Sequence, residues 1–291
     1  MSTRGTHREL VSDQEARKLR EAGVLIDDSR RERPRWFDGR FLAARDLIRE
    51  QDYFLTREAD LGRAAGSGVA SGLQVVRGTR ERTLRLAAGH GITPSGELVL
   101  LEQDLDVDLA DLPREARLSA KFGLGQAATD PARSRNGLFV LCLRPVEYTA
   151  NPTGAYPKTI TGQRSQVDGD IIEATAAVLV PWPDDGEGAS LSVRRARAAR
   201  AIFVDGADTR MPANLVPLAM LGLDDNSPAW IDMPMVRREL GADRGDLPGL
   251  GLAPRALRLA HLLQYQQHLA QVVADYGGRG FPAATVFPAL P

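Results

Sequence analysis

The chain has 291 residues, of which 43% are hydrophobic and 26% are charged, and its formal net charge is −1. This composition is that of a globular protein, and a compact chain of this length buries about three-quarters of its unfolded surface without disulfides or metal. The near-neutral charge excludes a general attraction to nucleic acid or to an anionic membrane. The basic pairs Arg30–Arg31 and Arg194–Arg195 lie among acidic residues and are predicted to be solvated surface.

A single cysteine, Cys142, lies in the apolar run Gly137–Arg144. It cannot form a disulfide within the chain, and its surroundings predict a buried small hydrophobe rather than a reactive thiol. No apolar stretch reaches the roughly 18 residues that a membrane helix needs, so no membrane insertion is predicted. The N-terminus lacks the apolar core of a signal peptide, which predicts synthesis in the cytoplasm.

Residues 1–35 are predicted to form a charged arm with one short amphipathic helix. Apolar residues recur at helical spacing between Leu10 and Ala22, and Gly23 ends the pattern. Pro34 then prevents a helix from continuing through the basic run around it.

The strongest helical pattern covers residues 42–65. Leu47, Phe54 and Leu61 are seven residues apart, and charged residues occupy much of the rest. This stripe is predicted to be a core-type face that packs against the β domain or against the equivalent helix of a neighbouring subunit. The three glycines of Gly66–Gly72 stop the helix and permit a tight turn.

Between Leu73 and about Asp232 the hydrophobic periodicity changes from that of a helix to that of strands. The segment Asp104–Leu109 alternates aspartate with apolar residues, which predicts an edge strand protected by charge from aggregation. Residues 151–157, 159–170 and 181–188 are predicted to be long loops. Short apolar runs predict further strands at Leu84–Leu86, Leu98–Leu101, Gly137–Leu143, Ala174–Val180, Ala201–Val204 and Val216–Leu223.

A linker rich in Gly, Pro and Asp, residues 241–254, precedes a second good helix, predicted at about Arg255–Tyr276. Leucines 262, 263 and 269 flank its main stripe. That stripe mixes apolar and polar residues, namely Leu257, His261, Gln264, His268, Gln271 and Val272.

Residues 277–291 are predicted to form a proline-rich extended tail after a glycine joint. A short extended tail cannot bury its apolar residues by folding on itself, so they occupy a groove of their own domain or one on another subunit. The alternative, a frayed terminus, is disfavoured because disordered tails are poor in Phe and Val. The predicted partner-binding residues of the tail are Phe281, Val286, Phe287 and Leu290.

These elements predict an α+β fold. A β-rich central domain, either a sandwich or a small barrel, is flanked by a long N-terminal helix and by a C-terminal helix with an extended tail. The predicted segments are the charged arm 1–35, the helical segment 36–72, the β-rich domain 73–240, the linker and helix 241–276, and the tail 277–291.

No set of residues combines into a catalytic, cofactor-binding or metal site, and no cofactor is predicted. His261 and His268 are seven residues apart, whereas helical zinc sites favour a spacing of four, so helix packing or a partner contact is predicted. His90 is predicted to be a turn residue at a strand edge. The glycines of Gly66–Gly72 follow a helix and precede a strand, which is the reverse of a dinucleotide-binding turn.

Two segments of the sequence resemble one family: the first begins at Arg35–Tyr53 and closes on Gly66–Val76, and the second is Ala88–Leu101. Arg35–Tyr53, which reads RWFDGRFLAARDLIREQDY, is similar to the opening of baseplate- or fibre-associated proteins encoded with phage tails and contractile injection systems. Gly68–Val75 matches the turn that follows the long helix in those proteins, and Ala88–Leu101 is similar to their next hairpin. The chain departs from the family at Ala43, where threonine is common, and at Arg57–Arg63, where relatives carry an Arg/His-rich stretch.

The resemblance implies a non-enzymatic structural or assembly component of a phage-tail-like contractile injection particle, in the baseplate, a fibre mount or a cap. Its partners would be other subunits, including further copies of itself, and the particle either stays in the cytoplasm or is released. Trp36, Phe37 and Phe41 are predicted to cover the first turn of the long helix, and Trp36 and Phe37 to contact a partner.

Two other classes of function remain open from the sequence. A carbohydrate- or cell-surface-binding module on such a particle would use Tyr148, Tyr156 and Trp182 on long loops to stack on sugars. An enzyme is the least favoured class, because no catalytic constellation is present.

Overall fold

The computed structural model describes residues 11–112, 135–156, 164–184, 188–205, 211–240 and 255–287. The chain divides into two compact units, residues 1–58 and 59–291. The helices are α1 (Asp13–Glu21), α2 (Ala44–Ala65), α3 (Leu191–Phe203), α4 (Arg255–Tyr276) and α5 (Ala283–Val286). The strands are β1 (Gly68–Gly72), β2 (Val75–Arg77), β3 (Thr83–Leu86), β4 (Gly89–Ile92), β5 (Leu98–Leu101), β6 (Leu105–Asp108), β7 (Gly137–Ala155), β8 (Ser165–Pro181), β9 (Val216–Asp224) and β10 (Ser227–Asp232).

The N-terminal helix has the ends that its sequence predicts. The side chain of Ser12 accepts a hydrogen bond from the backbone N–H of Glu15 at 3.2 Å, which caps the first turn of α1. Gly23 adopts φ +71° just after the last turn, a conformation that favours glycine. The short helix predicted within the charged arm is therefore confirmed.

The strands of the described residues form three antiparallel sheets. Their strand orders are β1-β4-β5, β2-β3-β6 and β10-β9-β7-β8. Strand β6 lies at the edge of its sheet, as predicted from its aspartates, and Arg85 pairs with Asp104 at 2.9 Å beside it. The α+β class and the β-rich centre are confirmed.

Two hydrophobic clusters divide along the long strand β7. Leu141 and Leu143 belong to a cluster shared with the two three-stranded sheets, whereas Val140 and Cys142 belong to one shared with α3 and α4. Because successive side chains of a strand point to opposite faces, the four-stranded sheet has small sheets on one face and helices on the other. The predicted burial of Cys142 is confirmed.

The hairpin of β7 and β8 corrects two loop predictions. Residues 151–155 and 165–170 are strand, and the two strands stay paired from Phe139–Pro181 out to Ala155–Ser165. The sequence predicts loops here because these residues are polar. They are polar because the distal part of the hairpin is exposed on both faces, so its alternation does not mark a buried side.

Helix α3 corrects another prediction. Residues 201–203 end this helix rather than forming a strand, and Ser190 caps its start by accepting a hydrogen bond from the N–H of Val193. Arg195 on this helix is buried, so the prediction of a solvated Arg194–Arg195 pair is wrong for Arg195. Its alanine neighbours allow α3 to approach the sheet closely enough to enclose the guanidinium.

Candidate interaction surfaces

The segment before α2 is held to the helix by polar contacts. The indole N–H of Trp36 donates to Glu50 at 3.0 Å, and the guanidinium of Arg40 lies 5.2 Å from the centre of the Trp36 ring. Arg40 also pairs with Asp46 at 2.8 Å. Gly39, at φ +85°, makes the bend that brings Arg40 back toward the helix.

The aromatic residues of this segment are not a hydrophobic lid. Phe37 and Phe41 are exposed, and Trp36 is partly exposed. The predicted stripe of α2 is not buried within the single chain, where Tyr53 is buried instead, and its packing against the equivalent helix of a neighbouring subunit stays a prediction. The exposed apolar side chains of α2 are Leu47, Ile48, Phe54, Leu55 and Leu61.

The glycine-rich turn after α2 is shaped by backbone contacts. Gly68 is the first residue of β1, and a Cβ atom there would lie 2.7 Å from the carbonyl oxygen of Glu239. Gly72 has φ +61°, and an added Cβ would overlap the carbonyl of Ala88. Arg237 donates to the carbonyl oxygens of Gly72 and Leu73 at 2.8 and 2.7 Å. These residues of the family-like pattern are therefore explained by packing rather than by a ligand.

Helix α4 buries polar side chains on one face. His261, Gln264 and His268 of the predicted stripe are almost completely enclosed, whereas Gln271 of the same stripe is exposed. Its long apolar side chains instead face solvent, namely Leu259, Leu262, Leu263, Leu269 and Val273. The arrangement is the reverse of an ordinary surface helix, which turns its apolar stripe inward.

The polar face of α4 packs against a buried ion pair. Asp232, at the end of β10, pairs with Arg195 of α3 at 2.6 Å, and both are enclosed. Gln264 donates to the same carboxylate at 3.2 Å, and the N–H of Met235 donates to its other oxygen at 3.2 Å. The guanidinium lies 5.0 Å from the centre of the Trp230 ring. The carboxylate thus joins α3, β10 and α4, and its two side-chain partners, Arg195 and Gln264, are both more than 30 residues away in sequence.

The two buried histidines are held in the neutral form. Burial lowers the pKa of His268 to about 4, and the positive charge of Arg195 contributes in the same direction. Burial also lowers the pKa of His261, whose ring stacks on Phe203 at 4.4 Å. Neutral imidazoles match this enclosed position beside a guanidinium.

The C-terminal residues pack on α4 rather than running extended throughout. Ala283–Val286 forms one helical turn, α5, and Phe287 is buried 4.7 Å from Tyr265 and 5.0 Å from His268, between ring centres. Phe281 is half-buried, with its ring 5.8 Å from Phe287. Val286 is half-buried, and Leu290 lies outside the described residues. The tail therefore occupies a groove of its own unit at Phe287.

The residues proposed for sugar stacking lie apart. Tyr148 is on strand β7, Tyr156 follows its last residue under the guanidinium of Arg164, and Trp182 packs at the base of the hairpin. Eight residues of strand between the two tyrosines correspond to about 26 Å. The three rings do not form one stacking platform.

Among the described residues, no group of three or more His, Cys, Asp or Glu side chains is arranged to hold a metal ion. His90 lies within β4, where its Nδ1 is 3.0 Å from the hydroxyl of Ser71, and not in a turn as predicted. A search of the helices in the described segments found none long and apolar enough to cross a membrane.

Comparisons with known protein families and with curated proteins found no match. Among solved structures, a chain of the type VI secretion system TssK-TssF-TssG baseplate subcomplex is similar at 13% identity and a TM-score of 0.35, over 84% of this chain and 72% of that one. A chain of the type VI secretion baseplate complex aligns at 12% identity and a TM-score of 0.33, over 86% of this chain and 70% of that one. TssK aligns at 14% identity and a TM-score of 0.33, over 84% of this chain and 56% of that one. Identity this low transfers no residue role.

Proposed function

We propose that this chain is a non-enzymatic structural subunit of a contractile, phage-tail-like injection particle, placed in its baseplate, a fibre mount or a cap. The observation that carries the proposal is the distal part of the β7–β8 hairpin, residues 146–155 paired with 165–174, called the arm from here. Ten residues on each strand correspond to about 33 Å. Most of the arm's side chains are exposed on both faces.

A two-stranded ribbon exposed on both faces has little support of its own, because an isolated hairpin is at best marginally stable in water. The arm also exposes Val167 and Ile171, which have high strand propensity. A neighbouring subunit that covers these residues would stabilise the arm and bury its apolar surface. We therefore assign the arm to contact with another protein subunit of the particle.

The family-like segments support the same role. Their glycines are explained by close backbone contacts, while Trp36 and Phe37 stand at a surface held in place by Arg40 and Glu50. We propose that these two rings contact a partner subunit too. An aromatic pair on a rigid polar support is typical of a protein interface.

Particles purified from cells carrying an arm-shortened variant test the proposal. Residues 147–173 are replaced by Asn-Gly, because Val146 and Ala174 already face each other across the ladder. We expect a folded protein by circular dichroism and its loss from purified particles, measured by immunoblot. Incorporation at the wild-type level would contradict the assignment of the arm. Absence of the wild-type chain from particles would contradict the structural role altogether.

A pair of point variants removes the effect of shortening the chain. Ile171→Ser changes an exposed apolar residue of the arm, and Leu98→Ser changes one of similar exposure on β5. We expect Ile171→Ser to reduce incorporation and Leu98→Ser to leave it unchanged.

A further inference from the structure

The exposed apolar residues of α4 follow a heptad repeat. Leu259, Leu262, Leu269 and Val273 are separated by three, seven and four residues, and Gln266 fills the position between them. In heptad notation these are a, d, a, d and a positions, with Gln266 at the central a. We call these five residues the seam. Leu263 and Ala270, at the two e positions, widen it and are also exposed.

The opposite face of α4 is already occupied. It holds the contacts to Asp232, to Phe203 and to Phe287, so the seam cannot turn inward without breaking the buried ion-pair network. A sustained a/d pattern on a solvent face is the arrangement that binds another helix.

Two features of the seam identify that helix as another α4. Charges at e and g positions ordinarily select the partner helix, but here only the first g position, Arg258, is charged, and positions 263, 265, 270 and 272 are Leu, Tyr, Ala and Val. In a parallel pair, position 258 lies opposite position 263 of the second copy, which is leucine, so two identical flanks do not place like charges opposite each other. A foreign helix with charged flanks would find no counter-charge at the four uncharged positions.

The central glutamine sets the direction of the pair. In a parallel pair, Gln266 lies opposite the Gln266 of the second copy, where each amide donates to the other. In an antiparallel pair, a positions face d positions, so the amide would be buried against leucine without a hydrogen bond. The parallel arrangement satisfies it.

We propose that α4 packs in parallel against the α4 of a second copy of this chain, in register at Gln266. The proposal goes beyond the structural role above and stands without it, because it concerns the purified chain alone. Helix α4 has 22 residues and is about 33 Å long. A contact about 10 Å wide along it buries less than the roughly 800 Å² per partner of a standard interface, so association should depend on concentration.

Sedimentation equilibrium of the purified full chain, from about 1 to 100 μM, tests the pairing in the range expected of a small interface. Leu262→Glu places a charge in the seam at a residue that is 60% exposed, so it should not unfold the subunit. We expect it to weaken association about a hundredfold. Leu98→Glu, at a residue 55% exposed, is the matched control and should associate like the wild type. A wild type that is monomeric at every concentration overturns the proposal. The proposal is also overturned if Leu98→Glu weakens association and Leu262→Glu does not.

Disulfide formation tests the register. Cys142 is buried, so Gln266→Cys introduces the only exposed thiol among the described residues. Mild oxidation should yield a covalent dimer from Gln266→Cys and little from the matched Leu98→Cys. Gln266→Leu should tighten association about tenfold, because a polar a position costs stability. A persisting non-covalent dimer that Gln266→Cys does not cross-link would overturn the parallel register. If the wild-type chain is monomeric at every concentration and is still incorporated into particles, the pairing of α4 helices is contradicted while the proposed structural role stands.

Discussion

Helix α4 buries polar side chains on one face and exposes leucines on the other, whereas most surface helices do the opposite. The inward face buries His261, Gln264 and His268, whereas leucines lie on the outward face. On the inward face, Asp232 accepts a hydrogen bond from Gln264, and the two histidines pack against the rings of Phe203 and Phe287. The difference shows that the available partner, rather than hydropathy, decides which face of this helix is buried. Substitutions on the inward face should reduce folding stability, and those on the outward face should affect association.

The largest effect is expected from Asp232→Ala. It leaves the guanidinium of Arg195 buried without its carboxylate and removes the acceptor of Gln264. We expect the free energy of unfolding to fall by about 3–5 kcal/mol. Asp27→Ala, which breaks the exposed pair with Arg20, should have a much smaller effect because solvent screens this pair. Urea unfolding compares the two. Equal losses would show that the buried pair does not organise the inward face.

Acidification should weaken the same face. The pKa of His268 is lowered to about 4 in the folded chain from an ordinary value of 6.5, so the unfolded chain takes up the proton first as pH falls. The free energy of unfolding therefore keeps its full value above about pH 6.5. It falls progressively as the pH is lowered toward 4, by on the order of 3 kcal/mol. Urea unfolding between pH 7.5 and 4.5 measures it. His268→Gln, which does not titrate, should flatten the slope, and an unchanged slope would contradict this account.

A smaller effect is expected where β9 supports the network. Gly222 lies under the indole of Trp230, and an added methyl group would overlap the ring. We expect Gly222→Ala to lower the free energy of unfolding by about 1–3 kcal/mol. Gly154 is also a strand glycine, but it has no atom within 4 Å of an added Cβ, so Gly154→Ala is the control. If both variants unfold like the wild type, the ring is free to move and the face is less rigid than described.

The smallest effect is expected on the exposed stripe of α2. Phe54 is 49% exposed, whereas its neighbour Tyr53 is 6% exposed. Phe54→Ala should therefore cost about 1 kcal/mol or less in the isolated chain, against about 3–5 kcal/mol for Tyr53→Ala. Thermal unfolding compares them at equal concentration. A larger loss for Phe54→Ala would show that this ring is covered.

Helix positions were predictable where periodicity and glycine coincide. Helix α2 ends at Ala65 just before Gly66, as predicted, and α4 spans the predicted Arg255–Tyr276. Which face of each helix is buried was harder to predict. The same heptad spacing that indicated a buried stripe on α2 marks a face that is exposed, because spacing identifies a stripe and not the side on which it is covered.

The buried polar network could not be predicted from the sequence. Arg195 stands in an arginine-rich run that resembles a solvated helix, and Asp232 is 37 residues away. No local signal connects them, since the carboxylate meets the guanidinium only when β10 packs beneath α3. The length of the arm was missed for a related reason, because strand periodicity reports burial on one face and the arm has both faces exposed.

The sequence alone determined the α+β class, the long helices, the positions of most strands and the glycine turn, because these depend on local spacing and on backbone conformations that favour glycine. Only the tertiary structure decided that Arg195 is buried, that Phe287 packs against Tyr265 and that α4 presents its leucines outward. Burial depends on what lies opposite a side chain. For these residues the opposite group comes from a distant part of the chain.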